Sequence, residues 1–96
     1  MKWIREKSLY FLSTLDVLCK HDTSKEYNIY GIGKELKYKK AEIEYIVEYL
    51  TTLDLIVYKK SSYEASITPK GVEILKSKRP IEYLIDIKTP AIPKIL

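Results

Sequence analysis

Lysines are the side chains whose type and spacing could bind a ligand in this 96-residue chain. They form two groups, Lys37-x-Lys39-Lys40 and the adjacent pair Lys59-Lys60. Closely spaced cations can hold phosphate oxygens, whereas a single surface lysine is ordinarily a solvated charge. The net charge of +4 and the sequence pI of about 9.1 make the chain mildly basic. This balance is compatible with nucleic-acid binding but does not establish it.

Enzyme chemistry is not expected from this sequence. It has one cysteine, Cys19, which excludes an internal disulfide and a Cys-based zinc site, and its one histidine, His21, has no evident partners for a metal site or a Ser-His-Asp triad. Gly31-Ile32-Gly33 lacks the spacing of a phosphate-binding loop. We therefore predict no catalytic residue, no cofactor and no metal. Cys19 is predicted to be a buried small hydrophobe, with an intersubunit disulfide as the alternative, and His21 to face solvent near a helix C-terminus.

The pattern of apolar residues over Ile32–Ile56 predicts a helix-turn-helix followed by a strand. Its longer helix, about 40–53, has apolar residues at i, i+3, i+4, i+7 and i+10, namely Ile43, Ile46, Val47, Leu50 and Leu53. Ile32 and Leu36 indicate a shorter preceding helix, and Lys37-Tyr38-Lys39 leaves room only for a tight turn. Two helices joined in this way, with the second longer, are typical of a protein that inserts a helix into the DNA major groove.

The other elements follow from local signals. We predict a helix over Lys2–Lys20, a short strand at Tyr27–Tyr30, a hairpin of strands 55–60 and 63–67 around Ser61-Ser62, and a helix over Lys70–Lys78 started by Thr68-Pro69. The alternation in the returning strand places Tyr63, Ala65 and Ile67 inward. In the last helix Val72, Leu75 and Ile74 are expected to face inward. We assign 1–79 to the domain and 80–96 to a C-terminal extension, with a short helix after Pro80 or a strand as the alternative.

The first helix is apolar on two sides. Ile4, Phe11, Leu12, Leu15, Leu18 and Cys19 form one stripe at helical spacing, and Trp3, Tyr10 and Val17 form a second. Such a helix needs more cover than one small domain gives, so we predict a homodimer, with the chain's own C-terminal tail as the alternative cover. The predicted dimer interface consists of Trp3, Leu9, Tyr10, Val17, Leu84 and Ile85.

The order of elements resembles the winged-helix DNA-binding fold over Ile4–Leu75. Val47-x-x-Leu50-x-x-Leu53-Asp54-Leu55-Ile56 is similar to the L-x-x-L-x-x-L-G-L-I exit from the recognition helix, with Asp54 in place of glycine. The stretch from Ile67 to Leu75 resembles the L-T-P-x-G-x-x-x-L step of MarR and PadR regulators. By size and composition the chain is most similar to small archaeal or archaeal-virus winged-helix proteins.

The resemblance implies an α+β winged helix-turn-helix with a three-helix core, a two-stranded wing and a C-terminal helix. It implies a sequence-specific transcription regulator that binds double-stranded DNA as a homodimer, with helix 40–53 in the major groove and wing 57–67 on the backbone or minor groove. The alternative is a protein–protein interaction module in a transcription or replication assembly. The sequence shows no membrane span, no signal peptide and no small-molecule site, so we expect a cytoplasmic protein.

Helical geometry places Ala41, Tyr45, Glu48 and Thr52 on the outer face of the longer helix, with Glu44 on one flank and Glu42 and Tyr49 on the other. The stretch 27–56 has a net charge of −1, whereas 57–79 has +4, so we expect the helix to contact bases and the wing to hold phosphate. The predicted DNA-binding residues are Lys34, Lys37, Tyr38, Lys39, Lys40, Ala41, Glu42, Glu44, Tyr45, Glu48, Tyr49, Lys59, Lys60, Ser61 and Ser62.

Overall fold

The computed structural model describes residues 2–80 and Leu84, with side chains from Ile4 onward. The elements in chain order are α1 (Lys2–Leu18), β1 (Tyr27–Asn28), α2 (Ile29–Leu36), α3 (Lys40–Thr52), β2 (Ile56–Lys59), β3 (Glu64–Ile67) and α4 (Pro69–Lys76). This arrangement confirms the predicted α+β winged helix-turn-helix. α1 ends two residues earlier than predicted because Lys20 and His21 take left-handed φ angles of 54° and 61°.

Side-chain caps fix where the helices begin. The Asn28 side chain accepts hydrogen bonds from the N–H groups of Tyr30 and Gly31, so α2 starts at Ile29 and shortens the strand predicted at Tyr27–Tyr30 to two residues. The Thr68 hydroxyl accepts from the Gly71 N–H and Pro69 occupies the first turn, as the sequence predicts for α4.

The sheet has three antiparallel strands in the order β1-β3-β2. β2 and β3 form the wing hairpin, with Ile56 opposite Ile67 and Lys59 opposite Glu64, and β1 adds to the other edge of β3. Ala65 and Ile67 are buried as the alternation predicts. Tyr63 is not inward, because its φ of 58° takes it out of the strand and leaves it 49% exposed.

The core lies between α1, α3 and the sheet and includes Phe11, Leu12, Ile46 and Leu50. Asp54 takes the left-handed φ of 61° that glycine supplies in the similar motif, which explains how the chain leaves α3 without a glycine. Gly71 instead serves a close approach, since an added Cβ would lie 2.6 Å from the Leu55 carbonyl oxygen.

The predicted dimer interface is only partly available to a partner. Leu84 is fully buried within the single chain, so its assignment to an interface is wrong, and Leu9 is half-buried against the core. Tyr10 and Val17 are each 61% exposed on α1. The Trp3 side chain and Ile85 lie outside the described residues. In α4 Ile74 is buried, and Val72 and Leu75 are half-buried and pack against the core, as the sequence predicts.

The structure agrees with the predictions for Cys19 and His21. Cys19 is buried, and burial raises the pKa of its thiol, so it behaves as a core residue and not as an exposed disulfide partner. His21 is exposed after the end of α1, and its Nδ1 lies 2.7 Å from a carboxylate oxygen of Asp16. Among residues 2–80 and Leu84, no helix is long and apolar enough to cross a membrane.

Candidate nucleic-acid interface

The turn between α2 and α3 places lysines at the start of the longer helix. Lys37 ends α2 with a left-handed φ of 60°, and its N–H bonds to carbonyls of the last turn. Lys39 is the N-cap of α3, Lys40 is its first residue, and both are exposed, as is Lys34 on α2. Lys39 and Lys40 therefore bring positive charge to the N-terminus of α3, and a helix N-terminus itself attracts anions.

Tyr38 in this turn does not face outward as predicted for a DNA contact. It is half-buried against the core, its hydroxyl donates to the Lys7 carbonyl at 3.3 Å, and Lys7 Nζ lies 4.9 Å from its ring centroid. Burial raises the pKa of its phenol. Tyr38 is thus a packing residue that fixes the turn against α1.

The outer face of α3 is exposed as predicted. Ala41, Glu48 and Thr52 are open to solvent, and Tyr45 is 41% exposed. Tyr45 offers this face a hydroxyl donor and an apolar ring, which suit a base edge or a thymine methyl group. The face therefore has the exposure that contact with bases requires.

One predicted flank of α3 instead faces the protein. Tyr49 is only 6% exposed, its hydroxyl donates to the Leu84 carbonyl at 3.3 Å, and burial raises its pKa to about 12. The prediction that Tyr49 contacts DNA is therefore wrong. Glu42 forms an ion pair with Lys7 and accepts a hydrogen bond from the Lys39 N–H at 2.9 Å.

Glu42 thus has a structural role that the sequence prediction missed. The hydrogen-bonded ammonium of Lys7 and the Lys39 N–H hold the pKa of the Glu42 carboxyl below its usual value. Its carboxylate supplies the α3 N-terminus with the acceptor that a lysine N-cap cannot provide. No short-range signal could have revealed the pair, because Lys7 lies 35 residues away in sequence.

The two adjacent lysines of the wing differ, because Lys59 is in an ion pair and Lys60 is exposed at the hairpin tip. Lys59 pairs with Glu26 from the segment before β1, and this hydrogen-bonded ion pair raises the pKa of the lysine. Lys60, Ser61 and Ser62 are exposed at the hairpin tip. Lys60 is therefore the lysine of the pair that is better placed to meet a phosphate.

α3 and the wing line the same open cleft of about 490 Å³, to which α3 contributes residues from Glu44 to Thr52 and the wing contributes Lys60. Lys40 lies at the opposite end of α3, about 18 Å from Thr52 at 1.5 Å per residue. Lysines therefore lie at the start of α3 and on the wing, and the exposed middle of the helix carries Glu44 and Glu48.

Three tyrosines lie together in this cleft, and the sequence did not predict this arrangement. Tyr30 and Tyr63 have ring centroids 5.6 Å apart, and Tyr58 also lines the cleft. The Tyr30 hydroxyl donates to Glu44 at 2.8 Å, which raises the pKa of Tyr30 to about 12. Tyr30 follows β1 at the start of α2, and the pairing of β1 with β3 brings it to the wing. Residues 4–80 and Leu84 contain no group of three or more His, Cys, Asp and Glu side chains that could hold a metal.

The helix-turn-helix with its hairpin wing and flanking lysines defines a winged-helix DNA-binding domain. The RQC domain model matches residues 17–91, so the chain belongs to the RQC domain family. The RQC domain is a winged-helix DNA-binding domain found in RecQ helicases. The match gives no support to a MarR or PadR affiliation or to an archaeal origin. Neither a curated protein nor a solved structure shows a significant match to the chain.

Proposed function

We propose that this chain binds double-stranded DNA with α3 in the major groove, and that the lysines at the start of α3 and at the tip of the wing contact phosphates. The observation that carries the proposal is the placement of exposed Lys39 and Lys40 at the start of α3 and of exposed Lys60 on the wing, which lines a cleft with α3. The major groove is about 12 Å wide and is bordered by two phosphate backbones. Lysines on two elements, α3 and the wing, suit contact with phosphates beside a helix that lies in this groove.

The finer proposal is a sequence-specific transcription regulator that acts as a homodimer. Tyr45 at the centre of the exposed outer face supports contact with base edges. Tyr10 and Val17, spaced seven residues apart and exposed on α1, supply the apolar surface for a second copy. The proposal assigns this chain binding and no catalysis.

A salt titration of duplex binding tests the proposal. The full chain is mixed with a fluorescein-labelled duplex, and the Kd from fluorescence anisotropy is measured as the salt concentration rises. We expect the logarithm of the association constant to fall linearly with the logarithm of the salt concentration. The slope should correspond to several phosphate contacts, since each neutralised phosphate contributes about −0.9. Absence of binding at about 50 mM salt overturns the proposal.

Two further measurements test its finer parts. Selection from a random duplex pool should enrich one motif, and a pool that stays random contradicts sequence specificity. Light scattering should give twice the 11.3 kDa chain mass, and a monomer at every concentration contradicts the homodimer.

A protein–protein module remains the second candidate, because Glu44 and Glu48 give the exposed part of α3 a negative charge that repels phosphate. Lys60→Glu separates the two candidates. It should weaken duplex binding under the first proposal, while a module that binds only proteins would show no duplex affinity to lose.

A further inference from the structure

The cleft between α3 and the wing has a composition that DNA binding does not explain. We name it the tyrosine cleft and define it by Tyr30, Glu44, Glu48, Tyr58, Lys60 and Tyr63. Its volume of about 490 Å³ is within the range of pockets that enclose small ligands or a large side chain. Three aromatic rings and two carboxylates therefore share a space that one side chain of a partner could enter.

The aromatic wall is held in place by the fold. The rings of Tyr30 and Tyr63 are tilted by 59° with centroids 5.6 Å apart. The Tyr63 carbonyl accepts a hydrogen bond from the Ile29 N–H at 2.9 Å, which ties the wing to the start of α2. Tyr63 also takes a φ of 58°, a conformation that costs energy for a bulky side chain and that clusters at functional sites.

The charge of the cleft selects the sign of its ligand. Glu44 and Glu48 contribute two negative charges and Lys60 one positive charge, so the lining has a net charge of −1. The Tyr30 hydroxyl donates to Glu44 at 2.8 Å and thereby orients that carboxylate at the edge of the aromatic wall. Inside the cleft, between the carboxylates and the rings, a phosphate is disfavoured, whereas a cation gains from both carboxylates and from the ring faces.

We propose that the tyrosine cleft binds the cationic side chain of an arginine or lysine from a protein partner. Aromatic rings attract cations through their quadrupole, and arginine both stacks on rings and bonds carboxylates with its planar fork. The proposal does not depend on duplex binding, since it uses a different ligand and the acidic part of α3. Glu48 belongs both to the tyrosine cleft and to the outer face of α3, so a bound partner would cover part of the surface assigned to DNA.

The test uses nuclear magnetic resonance of the full ¹⁵N-labelled chain. Propylguanidinium chloride, an arginine side-chain analogue, is titrated at constant ionic strength, with sodium phosphate and adenosine titrated separately. We expect saturable shifts of the cleft amide signals with propylguanidinium and none with phosphate. Absence of saturable shifts with propylguanidinium, or saturable shifts with adenosine alone, overturns the proposal, and the latter result would indicate a nucleobase site instead.

Matched variants locate the binding. Tyr63→Asn removes the ring with a residue that tolerates the left-handed φ, and the double variant Glu44→Gln, Glu48→Gln removes the charge while keeping the shape. Each should weaken propylguanidinium binding at least about fivefold. Glu73→Gln, exposed on α4, serves as the control and should leave the affinity unchanged. Equal affinities in all variants with native-like spectra would overturn the proposal.

Discussion

The first turn of α3 and its later turns present opposite chemistry although they belong to one helix of 13 residues. In the first turn Lys39 and Lys40 are exposed, and the only acid, Glu42, is engaged by Lys7 and the Lys39 N–H. In the later turns Glu44 and Glu48 are exposed beside the tyrosines of α2 and the wing. The helix is therefore positive at its start and negative along the rest of its exposed surface.

This difference shows that the net charge of a helix does not describe the surface it offers to a ligand. Lys40 and three glutamates give α3 a net charge of −2 in sequence. One of those glutamates is neutralised from α1 and acts within the protein. We infer that the start of α3 serves phosphate binding and that the later turns serve a cation.

The largest effect is expected from charge reversal at the first turn. Lys39→Glu with Lys40→Glu replaces two phosphate contacts by repulsion, and charge-assisted hydrogen bonds of about 1.5 kcal/mol each correspond to roughly a 100-fold loss of duplex affinity. Fluorescence anisotropy at low salt measures this change in the Kd for the duplex. Lys20→Glu with Lys70→Glu makes the same charge change at exposed sites away from α3 and should cost much less. Equal losses in both pairs would show a general charge effect only.

The next effect concerns stability and not binding. Tyr49→Phe removes a hydroxyl that donates to the Leu84 carbonyl, leaving a buried acceptor without its partner at a cost of about 1 kcal/mol. Urea unfolding should show a lower free energy of unfolding, while duplex affinity stays unchanged. Tyr45→Phe, on the outer face, is the matched control and should leave stability unchanged. A loss of duplex affinity in Tyr49→Phe would restore the predicted DNA contact.

The sequence predicted the parts of the fold that depend on local signals. The apolar spacing of Ile43, Ile46, Val47 and Leu50 identified the buried side of α3, and Thr68-Pro69 identified the start of α4. Helix periodicity and capping are properties of neighbouring residues, so they can be seen without the tertiary structure. The exposed position of Tyr45 followed from the same geometry.

The sequence could not predict the roles that distant contacts assign. Glu42 and Tyr49 occupy the flank of α3 that α1 and Leu84 cover, so helix geometry alone left them as plausible DNA contacts. Lys59 was expected to hold phosphate, but Glu26 pairs with it across the wing. The three tyrosines of the cleft come from α2, β2 and the wing loop, and only the strand order β1-β3-β2 brings them together.

A smaller effect separates the two ligands of α3. Glu44→Gln with Glu48→Gln should strengthen duplex binding about threefold, because two screened repulsions with phosphate are removed. The same variant should weaken propylguanidinium binding. Glu73→Gln makes half the charge change outside the cleft, so it should change neither the duplex affinity nor the propylguanidinium affinity by a comparable amount. Movement of both affinities in the same direction would contradict the division of α3 into two halves.

The smallest effect is a pH dependence at the first turn. The folded-state pKa of Glu42 is lowered by Lys7 and by the Lys39 N–H, so its charge stabilises the fold above the usual carboxyl pKa, and this stability is lost as pH falls through the folded-state value. Glu42→Gln should therefore be less stable than the wild-type chain near neutral pH, and the difference should vanish between about pH 5 and pH 2. Urea midpoints across this range measure it, with Glu35→Gln on the exposed side of α2 as the control. A difference in stability that persists in acid would mean that Glu42 stabilises the fold through packing and not through its charge. The ion pair with Lys7 would then not be what separates Glu42 from the exposed lysines at the start of α3.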